Sequence, residues 1–354
     1  MNSFGEADIR EALGKVQDPE LGRDLVSLGM IKDIAIDGST VKFTLELTTP
    51  ACPMKSQMKK AAEEAVMSVP GVTDVEITLG ARVPKSSGLP EKMQVPGVKN
   101  IIAVASGKGG VGKSTVAVNL AAALAQTGAS VGLLDADIYG PSIPIMMGVT
   151  EQPKTDGQKL LPIERSGVRL MSIGFLIPAE SPVIWRGPMV MKAVQQLLYE
   201  VNWGELDYLI VDLPPGTGDA QLTLAQQVPV TGAVIVTTPQ DVALADATKG
   251  VNMFREVRVP ILGIIENMSY FVCPHCQERT ELFSHGGGRK AAEKLNAPFL
   301  GEIPLDVEVR EAGDRGVPLV LANPDSPQAE AFRTLAGKVA AAVSVLNLEC
   351  PPTE

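Results

Sequence analysis

The sequence predicts an α/β protein: a mostly parallel sheet flanked by helices over residues 100–348, preceded by a small α+β domain over 1–80. Three observations point there. The chain of 354 residues exceeds one ordinary compact domain. Residues 81–99 lack apolar periodicity and hold Pro84, Pro90, Pro96, Gly88, Gly97 and the Ser86-Ser87 pair, the composition of a linker. Beyond Asn100, short continuous apolar runs alternate with helical stretches, as in strands buried on both faces.

In the first domain a helix is expected from Asp8 to Val16, then a turn at Asp18-Pro19-Glu20 and a short helical stretch near Leu25. Val41, Phe43, Leu45 and Leu47 alternate with Lys42, Thr44 and Glu46, marking a strand with one wet face. It pairs with Ile31–Ile36 as a hairpin through Asp37-Gly38-Ser39, where glycine supplies the turn. A helix from Pro53 to about Ser68 takes proline in its first turn and stops before Pro70-Gly71, and a strand follows over Thr73–Leu79. In the second domain, strands are expected at Ile101–Ser106, Val131–Leu134, Val168–Ile173, Tyr208–Val211, Ala233–Thr237, Ile261–Glu266 and Phe299–Gly301. Helices such as Lys113–Gln126 and Met189–Tyr199 lie between them, and an Ala-rich helix runs from about Ser326 to Leu346.

The net charge of −10, spread over both domains, argues against a basic face for nucleic acid or anionic lipid. No continuous apolar run reaches the roughly 18 residues of a membrane span, and the first residues lack a secretory signal, so a cytoplasmic protein is expected. Four cysteines in this length are too few for a disulfide scaffold.

The strongest motif is Gly107-Lys108-Gly109-Gly110-Val111-Gly112-Lys113-Ser114, followed by Thr115, between a buried strand and a helix. It fits the phosphate-loop pattern, in which glycine dihedrals let successive N–H groups point at phosphate oxygens and the helix adds its positive end. Lys113 is expected on the β- and γ-phosphates and Ser114 on Mg²⁺. Asp135 and Asp137 end one strand and Asp212 ends another, where such sheets bind ligands. The fold is therefore expected to be that of a P-loop NTPase binding ATP and Mg²⁺.

The loop, with its early Lys108, resembles the deviant Walker A motif of the MinD, ParA, nitrogenase iron protein and Mrp/ApbC group. The resemblance implies that Lys108 reaches across a homodimer to the partner's nucleotide. It also implies that Asp212 holds Mg²⁺, that Asp137 positions the attacking water, that Pro214-Pro215-Gly216 senses the γ-phosphate, and that Asn267 contacts adenine.

Cys273-Pro274-His275-Cys276 places two sulfurs at metal-ligand spacing. Three solutions stand. With His275 and His285 the pair makes a Cys2His2 zinc site within one chain. As a dithiol it serves redox chemistry. Two pairs from two protomers supply the four thiolates of a 4Fe-4S cluster. Gly107–Thr115, Asp135–Ser142, Asp212–Asp219 and Asn267–Cys276 together resemble the Mrp/ApbC iron–sulfur cluster carriers over nearly all of residues 100–345. That resemblance implies ATP hydrolysis, a labile 4Fe-4S cluster bridged through Cys273 and Cys276, a homodimer, and exchange with apoproteins and cluster-assembly scaffold proteins.

Asp18-Pro19-Glu20, Ser27–Ile31 and Thr48–Pro53 resemble the small domain of SufT-like assembly proteins. Cys52, expected just before a helix N-terminus where a thiolate is stabilised, is a possible transfer thiol, or else a small buried residue of the turn. Cys350 is expected to be a bystander. The alternative function is a MinD/ParA-like positioning ATPase, for which the acidic balance and the absence of a basic C-terminal helix are unfavourable.

Overall fold

The computed structural model describes residues 4–86, 93–175 and 187–349. Cys350 and the Ser87, Gly88 and Pro90 positions of the expected linker lie outside the described residues. Contacts divide the chain into two units, one of residues 4–84 with 340–349 and one of 85–339. Residues 340–348, which the sequence groups with the second domain, thus cluster with the first.

The first unit runs α1 (Glu6–Leu13), β1 (Ile31–Asp37), β2 (Thr40–Leu47), α2 (Lys55–Met67) and β3 (Asp74–Ala81). The Asp8 carboxylate opens α1 by accepting the Gly5 N–H at 2.7 Å. β2 is the centre of a three-stranded sheet, antiparallel to β1 and parallel to β3. Its alternation works as expected: Val41, Phe43, Leu45 and Leu47 are buried with Ile9, Leu13, Met58 and Val66 of the helices. Near Leu25 the expected helical stretch is a turn instead. The Asp24 carboxylate accepts the N–H groups of Val26 (3.1 Å) and Ser27 (2.8 Å), a side-chain-to-backbone competition that displaces helix.

The second unit contains β4 (Val98–Ala105), α3 (Lys113–Gln126), β5 (Val131–Asp135), α4 (Ile143–Met146), β6 (Ile163–Arg165), β7 (Val168–Ser172), α5 (Gly187–Tyr199) and β8 (Leu206–Asp212). It continues with α6 (Asp219–Gln227), β9 (Gly232–Thr237), α7 (Asp241–Glu256), β10 (Ile261–Val272), β11 (Arg279–Thr280), α8 (Gly287–Lys294) and β12 (Phe299–Leu305). The last helices are α9 (Val307–Asp314), α10 (Leu319–Ala322) and α11 (Pro327–Glu349). The sheet order is β11-β10-β9-β4-β8-β5-β7-β6, with β12 also on β10. Pairing is parallel except at β10–β11 and β6–β7. The first strand of this sheet, β4, lies centrally, with β8 and β9 on its two sides. A crevice therefore opens at its carboxyl end, where the chain leaves in opposite directions.

β4, β5, β8 and β9 are almost wholly buried, as their continuous apolar runs require. Trp203 is buried and its indole N–H donates to Leu197 O at 3.1 Å. Part of the expected linker is structural: Val98 and Lys99 belong to β4, and Val83 and Val95 are buried. Over Pro327–Leu348 α11 is long and apolar enough to cross a membrane, with mean hydropathy 1.2. Glu330, Arg333 and Lys338 interrupt its apolar sequence, so it contains no continuous apolar run of that length. Ala329, Phe332, Ala336, Val339, Ala340 and Val343 are buried at helical spacing, so this helix spends its apolar face on the protein interior.

Phe254 of α7 has no exposed surface. Phe254→Ala is expected to cost about 3–5 kcal/mol, read as a lower denaturant midpoint for the second unit.

Candidate nucleotide site and cysteine hairpin

The loop leaving β4 is built by close approach. Gly110 and Gly112 have φ of +78° and +81°, which favour glycine. A Cβ on Gly112 would lie 2.2 Å from Asn267 Nδ2, and one on Gly107 would lie 2.2 Å from the Asp246 carbonyl oxygen, so neither position accommodates a side chain. Ser106 Oγ donates to Lys108 O (2.9 Å), and Gly216 N donates to Ser106 O (2.8 Å), tying the Pro214-Pro215-Gly216 turn to the end of the central strand. The loop cradle therefore fits phosphate, with α3 beginning at Lys113 behind it.

Lys113, Ser114, Asp137 and Asp212 converge. The Lys113 ammonium contacts Asp212 Oδ1 at 2.6 Å and Asp137 Oδ2 at 3.6 Å. Ser114 Oγ donates to Asp212 Oδ2 at 2.6 Å. Ser114 and Asp212 thus offer hard oxygens side by side, a donor set that suits Mg²⁺. Lys108 is half-exposed and, among the described residues, makes no ion pair.

Asp135 is the member whose importance the sequence understates. It has no exposed surface; its Oδ1 accepts from Asp137 N (3.1 Å), and its Oδ2 from Ser172 Oγ (3.0 Å) and Ile143 N (3.3 Å). Its carboxyl therefore sets the path of the segment that carries Asp137. Three carboxyl groups share one ammonium here. Burial, and then the neighbouring Asp212, push Asp135 up to about 8. Burial also raises Asp212 and Asp137 against the pull of Lys113. The ammonium in contact with Asp212 favours its ionised form, a direct partner that Asp135 lacks. Ser172 was not read as a site residue; its one sequence signal is its position at the end of a strand.

Beside the loop is a cavity of about 390 Å³ lined by Thr115, Asn267, Met268, Pro304 and Leu305 among others. Its place next to Thr115 suits the base and ribose of a nucleotide. Asn267 lines it but has a second role: its Nδ2 donates to Val111 O at 2.9 Å, bracing the loop. Asn267 lies inside β10, which extends to Val272 instead of ending at Glu266.

Cys273 and Cys276 sit in the turn of the β10–β11 hairpin, closed by Cys273 N to Glu278 O (3.0 Å) and Gln277 N to Cys273 O (2.9 Å). Cys276 is exposed and Cys273 partly so. The backbone N–H groups of Cys276 and His275, and then the Cys276 thiol, hold Cys273 below the usual thiol range. The hairpin thus presents a ready ligand pair. The single-chain Cys2His2 zinc site is not assembled. His285 Nε2 lies 3.0 Å from Glu302 Oε2 and its Nδ1 3.7 Å from Glu281 Oε1. Among the described residues the candidate group of three ligands is Glu266, His285 and Glu302, without a cysteine. Glu266 is already occupied by Ser269 Oγ (2.6 Å), Gly286 N (3.0 Å) and Gly288 N.

Of the two readings of Cys52, its surroundings favour the small buried residue of the turn. It is buried in the first unit, and burial pushes its thiol up to about 11, outweighing the Met54 N–H near the start of α2. The group is a neutral core thiol in this conformation, not a stabilised thiolate.

The raised Asp135 carboxyl has a pH consequence. A folded-state value of about 8 against the ordinary 3.8 means that its stabilising contribution is complete below about 3.8 and is lost as pH rises through 8. Asp135→Asn, which imitates the neutral acid, is expected to flatten the fall in thermal midpoint across that window when the nucleotide-free protein is melted at a series of pH values.

A family model described as ParA, NUBPL iron-transfer P-loop NTPase, matches residues 97–340, and an iron–sulfur cluster assembly protein model matches 6–79. An iron–sulfur cluster carrier protein of Synechocystis sp. is 55% identical over 96% of this chain and 98% of its own length. A carrier of the same name from Deinococcus radiodurans is 53% identical over 98% of each chain. A nucleotide-binding protein of Archaeoglobus fulgidus, solved in complex with ADP, is 41% identical with a TM-score of 0.59, over 67% of this chain and 93% of its own. With the loop, the paired aspartates and the cysteine hairpin in place, the chain belongs to the NUBPL-type iron-transfer P-loop NTPase family.

Proposed function

We propose that the protein is an ATP-dependent iron–sulfur cluster carrier. It hydrolyses ATP to ADP and phosphate, holds a labile 4Fe-4S cluster between two protomers, and passes it to apoproteins. The observation that carries this reading is that one sheet bears both the phosphate loop and an exposed cysteine pair with a lowered thiol, in a chain more than half identical to named cluster carriers. The unit of residues 85–339 acts as the ATPase, and the unit of residues 4–84 with 340–349 as an accessory assembly domain.

On nucleotide binding Lys113 moves from Asp212 to the β- and γ-phosphates, and Ser114 and Asp212 are freed as the Mg²⁺ ligands. Bound Mg²⁺ supplies charge neutralisation on the phosphate oxygens. The amides of Gly107–Thr115 hold the phosphates, and Asn267 keeps the loop in register beside the base. Asp137 orients the attacking water, whose oxygen bonds to the γ-phosphorus as the bond to the ADP oxygen breaks. Lys108, unpaired within its own chain among the described residues, reaches the partner's nucleotide. Cys273 and Cys276 of each protomer give the four thiolates of the cluster. A cytoplasmic setting keeps those thiols reduced. Cys52 serves as a transfer thiol only if its burial is relieved.

Lys113→Ala is expected to lower ATP turnover by about 100-fold or more, and Asp137→Asn to bind ATP yet hydrolyse it slowly. Hydrolysis at the parent rate by Lys113→Ala would overturn the loop assignment. Anaerobic reconstitution of the parent with iron and sulfide should give broad visible absorbance that Cys273→Ser and Cys276→Ser lose while still binding ATP. Full cluster in both variants would reject the cargo site.

A further inference from the structure

β10 joins the two sites. At Asn267 it braces Val111 of the phosphate loop, and the Met268 methyl lies 3.5 Å from where a Cβ on Gly112 would sit. At its far end the chain runs from Val272 directly into Cys273. Between these points the strand is irregular. It pairs with β12 at Asn267↔Ile303 and again at Phe271↔Leu305, using two more residues than its neighbour over that interval. Met268, in the bulge, has φ +54°, a left-handed conformation that a residue with a side chain rarely holds inside a strand. Ser269 anchors the bulge through its hydroxyl to Glu266 Oε1 (2.6 Å), the carboxylate that also receives Gly286 and Gly288 at the start of α8.

On either side of the bulge the structure is stiff. Upstream, β10 is paired with β9 through Glu266↔Thr237. Downstream, Phe271↔Thr280 and Val272↔Arg279 close the hairpin, and the Arg279 guanidinium lies 3.8 Å above the Tyr270 ring. Beyond the bulge the hairpin is thus held as one body, with Phe271 also paired to Leu305 of β12.

We propose that the Met268–Tyr270 bulge transmits nucleotide occupancy to Cys273 and Cys276, with Met268 and Ser269 as its positioning residues; its biological use rests on the carrier reading. Phosphates drawing on the amides of Val111 and Gly112, and a base entering the cavity that Met268 lines, both act on the one strained residue between the sites. Release of Met268 from the left-handed region re-aims the hairpin and with it both sulfurs. An element with two conformations that each site biases differently is what coupling requires.

The test uses the full chain without metal, at saturating Mg²⁺ and nucleotide, with bound nucleotide measured in each sample. Alkylation rates of Cys273 and Cys276 are followed by mass spectrometry with ATP, with ADP and without nucleotide. In the parent, nucleotide should change the rate by about fivefold or more. In Met268→Gly, where the left-handed conformation costs nothing, or in Ser269→Ala, which loosens the anchor away from the cavity, that change should largely disappear although nucleotide is bound. An unchanged rate in the nucleotide-bound parent overturns the proposal. So does a full nucleotide effect in both variants, which would assign the change to occlusion between protomers. Because no cluster is needed for the readout, failure of the carrier reading would show separately, as a parent that cannot be loaded with iron and sulfide.

Discussion

The contact between the Lys113 ammonium and the Asp212 carboxylate holds the catalytic end of the sheet together. It joins the first turn of α3 to the end of β8, and it is buried on both sides. An ammonium without its carboxylate there, or the reverse, is an uncompensated buried charge worth about 3–5 kcal/mol. The sheet order makes the contact possible by placing β8 directly beside β4, so that the loop leaving one strand returns over the end of the other.

The same contact explains why the site is acidic without flying apart. Asp135, Asp137 and Asp212 lie around one cation; burial raises all three carboxyls, Lys113 pairs with Asp137 and Asp212, and the oxygens of Asp135 are spent on backbone N–H groups and Ser172. A phosphate ligand that attracts Lys113 leaves carboxylates behind, and a divalent cation is the natural replacement. Nucleotide and metal ion thus belong to one exchange of charges.

Much of this could be read from the sequence, for reasons that differ by residue. Gly107–Thr115 were legible because glycine spacing between a strand and a helix has few other uses, and Asp212 because an apolar run ends on it. Cys273 and Cys276 were legible through their spacing. Ser172 and Glu266 were not, since their meaning lies in partners brought near only by the folded sheet: Ser172 lies opposite Asp135 on the neighbouring strand, and Glu266 receives Gly286 and Gly288. β11 is two residues long, too short for any periodicity, and β10 was read short because the polar Asn267 and Ser269 interrupt its apolar pattern. Cys52 admitted two readings in sequence, a thiolate at a helix start or a small buried residue, because only the folded core shows that enclosure is the larger influence on the thiol.

The cysteine hairpin is fastened by ladder pairs and an arginine–tyrosine contact, none of which involves a sulfur. Small metal domains whose ligands are also their main fastening unfold when emptied, so that release carries the whole expense of lost structure. Here the support stands by itself, and surrendering the cargo need disturb little beyond the two side chains that gripped it. Such a grip is suited to repeated rounds of loading and delivery, whereas a permanently seated group would gain from the opposite design.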